Sequence, residues 1–287
     1  TFSFFNEKGE VELKTYDTTR FPNWQICEEN DKRKSIHNIN WDGKPVKPSY
    51  EKKVSKHGLI ELIEKLPKED SDRIFGYNFP KTFFFDIETE VTDSFPEPER
   101  AENKILTISV VAPNGQVIIL GLKDFSQKQV QDIEASTNKY FEKFNKEWKI
   151  KYIKYNTEYD LVYTFIHKFM PKFPMLSGWN CINFDWKYIV NRCKRLQIDP
   201  AAASPTGTLT RDGLPYHIGI VDYMDLYANW DRSISVKENS QLNTAAIQSV
   251  GVGKIKYDGG LQQLYDDDYQ KYVYYNAVDS ILVYLID

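Results

Sequence analysis

The pattern of apolar and polar positions changes near residue 80. Before it, Lys- and Glu-rich stretches are broken by turn signals at Glu7-Lys8-Gly9, Trp41-Asp42-Gly43 and Lys47-Pro48-Ser49. Short alternating runs such as Glu10-Val11-Glu12-Leu13-Lys14 read as exposed strands. Leu59, Ile60, Ile63 and Leu66 recur at helical spacing, which predicts one amphipathic helix over about 56–66, stopped by Pro67. The expectation is a small β-rich N-terminal domain over 1–80.

From 81 onward the texture alternates between strand and helix. Thr82–Phe85 is a short, mostly apolar run of the kind a buried strand needs. Ile105–Val111 and Gln116–Leu122 flank Pro113-Asn114-Gly115, and Asn-Gly between apolar runs marks a hairpin. Helical periodicity follows over about 127–148. A second helix is expected from Asn156, with Glu158 and Asp160 in its first turn, Leu161, Val162, Phe165, Ile166 and Phe169 on its apolar face, and Pro171 at its end. Met175–Trp179 reads as a strand, and Trp186, Ile189, Val190, Cys193 and Leu196 mark the next helix. His217–Tyr223 reads as a strand, Ser240 as the cap of a helix ending at Val250 before Gly251, and Asp268 as the start of the last helix. This order predicts an α/β domain over 81–287, a mixed sheet flanked by helices.

Composition narrows the function classes. At about 150 residues per domain, 287 residues fit two domains. No apolar run reaches the roughly 20 residues of a membrane helix, and the acidic start TFSFFNEKGEVE is no signal peptide. Cys27, Cys181 and Cys193 form no Cys-x-x-Cys pair, which argues against a disulfide scaffold or thiolate zinc site and fits a reducing compartment. The 37 basic and 41 acidic residues give −4, whereas a tight non-specific nucleic-acid binder carries a basic excess. Nucleic-acid affinity would therefore need a local basic patch, a bound metal or a longer chain. Thr1 is not an initiator Met and the chain stops inside an apolar periodic segment, so the expectation is a fragment of something longer.

Three acidic groupings carry candidate chemistry. Asp86 and Glu88 follow the run Phe83–Phe85, and i, i+2 spacing in a strand puts both carboxylates on one face. Such neighbours repel unless a divalent cation compensates them, and hard oxygen ligands suit magnesium or manganese. A solvated acidic turn is the plainer reading. Asp185, in Gly178-Trp179-Asn180-Cys181-Ile182-Asn183-Phe184-Asp185, stands where a strand hands over to a helix and reads equally as an N-cap. On the last helix Tyr275 and Asp279 share a face at i, i+4, which also describes packing beside a surface charge. His37, His57, His167 and His217 have no ligand spacing.

Together and in this order, a strand-borne Asp-x-Glu, an Asn-x4-Asp and a Tyr-x3-Asp resemble the three exonuclease motifs of the DEDD superfamily. The His branch places its residue five before the last Asp; position 274 is Tyr here, so the Tyr branch is the one resembled. Phe85 to Pro98, Gly178 to Ile189, Asp222 to Tyr227 and Gly253 to Gly259 are similar to stretches of T-even-type phage family B DNA polymerases. The resemblance covers about 82–287; residues 1–80 match loosely, and the palm, fingers and thumb motifs are absent.

The resemblance implies a ribonuclease-H-like fold and 3′→5′ proofreading by two-metal phosphodiester hydrolysis, with Mg2+ or Mn2+. Asp86, Glu88, Asp185 and Asp279 would hold the two cations, Asp86 bridging. Tyr275 would orient the attacking water; its ordinary pKa near 10 makes it a poor base. Lys254, in a Lys-x-x-Tyr pattern, would stabilise the charged transition state, or is a solvated loop lysine. Asn180, Phe95 and Phe184 would contact substrate, with Phe95 equally readable as core. Asp222 and Asp225 are expected to alternate on a strand in structural or supporting roles. The implied partners are a single-stranded DNA 3′ end and the rest of a polymerase chain, with the protein monomeric, away from membranes, in the cytoplasm of an infected bacterium. A binding or scaffold module with a weak or inactive exonuclease, and a stand-alone exonuclease acting on RNA, are the alternatives.

Overall fold

Strand β5 (Thr82–Thr89) and strand β6 (Ile105–Val111) form the centre of a six-stranded sheet. A computed structural model of the chain describes residues 2–5, 11–14, 23–26, 46–49, 66–70, 81–92, 96–230 and 241–287. The chain divides into two units, Thr1–Asn78 and Phe79–Asp287. In the first, β1 (Phe2–Phe5) pairs antiparallel with β2 (Val11–Lys14), and β3 (Asn23–Ile26) with β4 (Val46–Ser49). β2 falls on the alternating Val11-Glu12-Leu13-Lys14. The helix expected over 56–66 lies outside the described residues, save Leu66.

In the second unit β7 (Gln116–Gly121), β8 (Lys149–Lys154), β9 (Met175–Gly178) and β10 (Gly219–Asp222) complete the order β10-β9-β5-β6-β7-β8. β5, β6 and β7 are joined antiparallel, while β9 beside β5, β10 beside β9 and β8 beside β7 run parallel. The sheet is mixed and carries helices on both faces. β6 is buried along its whole length, as its uninterrupted apolar and small residues require. The β6–β7 turn lies at Pro113-Asn114-Gly115, where Gly115 takes φ +85°, a backbone region that costs glycine least.

Alternation along β5 sorts its side chains. Phe85 and Ile87 pack into one core with Leu161 and Val162 of α2 (Glu158–Thr164), Phe165 of the π-helical turn after it, and Ile189 and Cys193 of α3 (Lys187–Arg195). Phe84 packs into the opposite core with Val130 and Ile133 of α1 (Gln127–Tyr140), Leu242 and Ala246 of α5 (Leu242–Val250), and Val273, Ala277 and Ile281 of the last helix, α7 (Tyr269–Ile286). Asp86 and Glu88 share the parity of Phe84 and so stand on the α7 face.

Several expectations are corrected. The helix expected over 127–148 stops at Tyr140, and β8 had no counterpart in the sequence reading. The reason is a set of side-chain bonds: Asn138 accepts from Trp148 N (2.8 Å) and donates to Trp148 O (2.9 Å), and Glu134 accepts from Ile150 N (2.7 Å). They turn the chain back beside the helix, and the buried Trp148 anchors it. Thr157 rather than Asn156 caps α2. The strand expected to reach Tyr223 ends at Asp222, and α4 (Tyr223–Trp230) begins there, so Asp222 and Asp225 do not alternate on one strand. Asp222 Oδ1 accepts from Met224 N (3.1 Å), which starts a helix where a strand would continue. Gln241 stands at the N-cap of α5, whereas the expected cap Ser240 lies outside the described residues; the expected end holds, Gly251 closing the helix after Val250 at φ +67°, and α6 (Leu261–Asp267) has no counterpart among the expected elements. Among the described residues no helix is long and apolar enough to cross a membrane.

Candidate active site

Four carboxylates from three elements gather beside the middle of β5. Asp86 and Glu88 sit inside β5, which runs on to Thr89 rather than ending before them. They lie opposite Ser109 and Thr107 of β6. Those small hydroxyl side chains, with Ala277 and Ser280, let α7 approach the sheet closely: Ser109 Oγ meets Ser280 Oγ and reaches Asn276 O. α7 thereby delivers Asp279, 3% exposed, and Asn276, whose Nδ2 donates to Asp86 Oδ2 at 3.0 Å. Asn276 precedes Asp279 by three, a spacing that puts both on one helical face and that would have flagged it in the sequence.

Asp185 arrives from the other side of the sheet. β9 ends at Gly178, where a Cβ would come within 2.7 Å of Phe85 O and 2.8 Å of Cys181 Cβ, so the close approach of this turn to β5 requires glycine. Asn180 follows in the left-handed region at φ 59°. A π-helical turn over Ile182–Trp186 then leads into α3. Asp185 lies inside that turn and makes no cap; its Oδ1 accepts from Ile87 N across the sheet at 3.0 Å. π-Bulges of this kind are frequent at functional sites.

Lys254, in the loop between α5 and α6, closes the group. Its Nζ donates to Asp279 Oδ2 (2.6 Å) and Tyr275 OH (3.2 Å). Its backbone is held by Asn243 Oδ1 (2.8 Å), and Tyr140 OH donates to Gly253 O (2.9 Å) beside it. Tyr257 packs edge-on against Tyr275 at 5.2 Å. A solvated loop lysine is therefore not what this residue is.

The electrostatics follow from burial and like charge. Burial, then Asp279, push the Asp86 carboxyl up to about 7, against the pull of Lys254 and Asn276. Burial and the neighbouring Asp86 raise Glu88 and Asp185 well above the usual carboxylate range. Burial raises Asp279, which Lys254 opposes. Burial disfavours the Lys254 charge, yet Asp279 and Tyr275 together hold its pKa above the ordinary value. Burial and Asp279 raise Tyr275, so its hydroxyl stays protonated at neutral pH.

The donor set is hard oxygen and more anionic than Lys254 neutralises, which fits a hard divalent cation. Asp279 Oδ1 is buried without a hydrogen-bond partner, leaving a lone pair for such an ion. Among the described residues no three His, Cys, Asp or Glu side chains already stand in an ion-holding arrangement: Asp86 turns to Asn276, Asp185 to Ile87 and Asp279 to Lys254.

The other expected residues divide. Asn180 is half-buried on the turn before Asp185. Phe184 is half-buried and packs against the α2–α3 core, its ring 6.0 Å from that of Tyr188. Phe95 lies outside the described residues. Sequence reasoning gave no role to Asn243 and left Asp222 between two roles. Asp222 accepts from the backbone N–H groups of Asn180 and Ile182; burial raises its carboxyl while these bonds lower it.

Residues 51–243 match the family described as DNA polymerase family B, exonuclease domain. The chain is 26% identical over 231 residues to the DNA-directed DNA polymerase of Escherichia phage RB69, covering 71% of this chain and 25% of that protein. It is 25% identical over 242 residues to the DNA-directed DNA polymerase of Enterobacteria phage T4, covering 76% and 26%. With DNA polymerase 1 of Sulfolobus acidocaldarius the figures are 26% over 198 residues, 64% and 20%. The chain thus spans about a quarter or less of the length of these relatives. With its mixed six-stranded sheet and the match over most of its length, the chain belongs to the exonuclease domains of family B DNA polymerases.

Proposed function

We propose that residues 81–287 form a 3′→5′ exonuclease domain that removes nucleotides from the 3′ end of single-stranded DNA as the proofreading part of a phage-type polymerase, with 1–80 a separate N-terminal domain. The observation that carries this reading is the gathering of Asp86, Glu88, Asp185 and Asp279 from three elements around one site with raised carboxyl pKa values. In this reading the domain is a monomer joined to the remaining polymerase chain and works in the cytoplasm of an infected bacterium.

Asp86, Glu88 and Asp279 would hold one divalent cation, and Asp86 with Asp185 would hold a second. When bound, the pair supplies an ionised water at neutral pH and polarises the phosphate. The protein's own groups do the rest. Tyr275, kept protonated, orients the water by a hydrogen bond and does not remove its proton. Lys254, already aimed at Asp279, offers its positive charge to the scissile phosphate, where charge develops in the transition state. Asn180 and Phe184 lie on the turn that carries Asp185 and meet the terminal nucleotide, and Phe95 stacks on a base of the unpaired strand.

The test is digestion of a 5′-labelled single-stranded DNA oligonucleotide in Mg2+ or Mn2+, beside Asp86→Ala/Glu88→Ala. The wild type should yield a ladder shortening from the 3′ end, abolished by EDTA and reduced at least about a hundredfold in the double variant. A ladder that survives the double substitution would remove these carboxylates from the mechanism. An RNA oligonucleotide degraded in preference to DNA would replace the proofreading role by an RNA one.

A further inference from the structure

Asp222 is an acidic residue buried to 4% exposure at the carboxyl end of β10. It makes no ion pair among the described residues. Instead its two oxygens gather three backbone donors: Oδ1 accepts from Asn180 N (2.9 Å) and Met224 N (3.1 Å), and Oδ2 from Ile182 N (3.0 Å). Two of these donors belong to the β9–α3 turn, 40 and 42 residues away in sequence.

That turn needs an external hold. Asn180 is in the left-handed region, which Asn enters more readily than other side-chain-bearing residues, so its conformation alone does not fix the turn. From Ile182 the chain winds as a π-helical turn rather than a regular helix, and Asp185 projects from it to meet Ile87 N. The start of the turn is pinned by Asp222 and its end by β5. A carboxylate suits this place because it accepts on both oxygens, whereas an amide would aim a donor at a backbone N–H.

We infer that Asp222 is a positioning residue for the exonuclease reaction: its carboxylate fixes the Asn180–Ile182 backbone and thereby sets where Asp185 stands relative to Asp86. This rests on the exonuclease reading above. It touches neither substrate nor cation. Partners that orient ligating carboxylates in this way change metal affinity or activity roughly 10- to 100-fold when altered.

The 287-residue chain would be compared with Asp222→Asn, Asp185→Asn and Ser177→Ala. Ser177 Oγ donates to Val221 O at 2.7 Å on the neighbouring strand, so Ser177→Ala weakens the same β9–β10 pair but leaves the turn's bonds intact. Mn2+ binding is titrated calorimetrically without DNA, and DNA digestion is followed against Mn2+ concentration. Asp222→Asn should lose Mn2+ affinity by roughly 10- to 100-fold at the site Asp185→Asn also weakens. Its rate should fall at limiting Mn2+ and partly recover at high Mn2+. Ser177→Ala should keep wild-type Mn2+ dependence despite a lower Tm.

An Asp222→Asn chain with wild-type Mn2+ affinity and rate would overturn the inference, as would one no more impaired than Ser177→Ala. Should the variant fail to fold, amide hydrogen exchange on the wild type decides. Asn180 and Ile182 N–H should exchange as slowly as those of β9, and exchange at loop rates would overturn the inference. A wild type that neither binds Mn2+ nor shortens DNA sinks both readings; an active wild type with an indifferent Asp222→Asn sinks this one alone.

Discussion

At Asp86 burial and the Asp279 charge act together: the carboxyl is pushed from 3.8 up to about 7. A folded-state pKa above the unfolded one stabilises the fold below pH 3.8, and that stabilisation is lost as pH rises through about 7. With chelator present, Asp86→Asn should therefore raise Tm relative to wild type at pH 8, and the gain should shrink towards pH 4. Because Asp86 is half-buried rather than sealed, the gain should be on the order of 2 kcal/mol, several degrees in a thermal scan. A gain that grows as pH falls would mean that burial lowers the Asp86 carboxyl instead. The residue-level pattern was open to sequence reasoning because it is local. Period 2 places Asp86 with Glu88, and i, i+4 spacing places Tyr275 with Asp279. The Lys254–Asp279 bond joins residues 25 apart through a loop, and no periodicity encodes that.

Among the elements, helix α3 does more than carry the chain away from Asp185. Its side chains hold the segment 98–103 that links β5 to β6. Tyr188 donates to Asn103 O, Asn191 to Pro98 O, Arg192 to Ala101 O and Glu102 O, and Arg195 to Arg100 O. Lys187 pairs with Glu99 at the exposed rim, where such a bridge contributes little. Arg192 is the buried member, bidentate to Glu158, whose Oε1 also accepts from Ile105 N at the start of β6. Arg192→Met leaves Glu158 buried without its counter-charge and should cost about 3–5 kcal/mol, read from urea unfolding midpoints. A loss below about 1 kcal/mol would place this pair among surface bridges. The strands β5, β6 and β7 were legible as short apolar runs, two of them flanking Pro113-Asn114-Gly115, and the helices α3 and α7 as longer apolar segments. β8 was not: its Lys-Ile-Lys-Tyr-Ile-Lys alternates, but it follows a helix whose side chains at Glu134 and Asn138 dictate the reversal. The strand expected to reach Tyr223 failed for a similar reason, since a side-chain bond from Met224 N to Asp222 outweighed local β-propensity.

For the whole molecule the net charge of −4 bears on the DNA binding proposed above. Without a broad basic field, binding of an oligonucleotide should be weak and should fall as salt rises, since phosphate contacts release counterions. Fluorescence anisotropy of a labelled oligonucleotide in Ca2+, over roughly 50 to 200 mM salt, checks this; affinity that rises with salt would contradict it. The sequence by itself determined the class of sheet, the central strands, the face shared by Asp86 and Glu88, the Tyr275–Asp279 pair and a family resemblance that the match over 51–243 bears out. These follow from short-range periodicity and ordered motifs, which the chain states directly. Tertiary structure decided the rest. It set the order β10-β9-β5-β6-β7-β8, the insertion of Asp185 from the far side of β5, the capture of Asp279 by Lys254 and the three-donor hold of Asp222. Apart from the local Met224–Asp222 bond, each joins residues distant in the chain, and its energy exists only once burial has removed water and left polar groups to find one another.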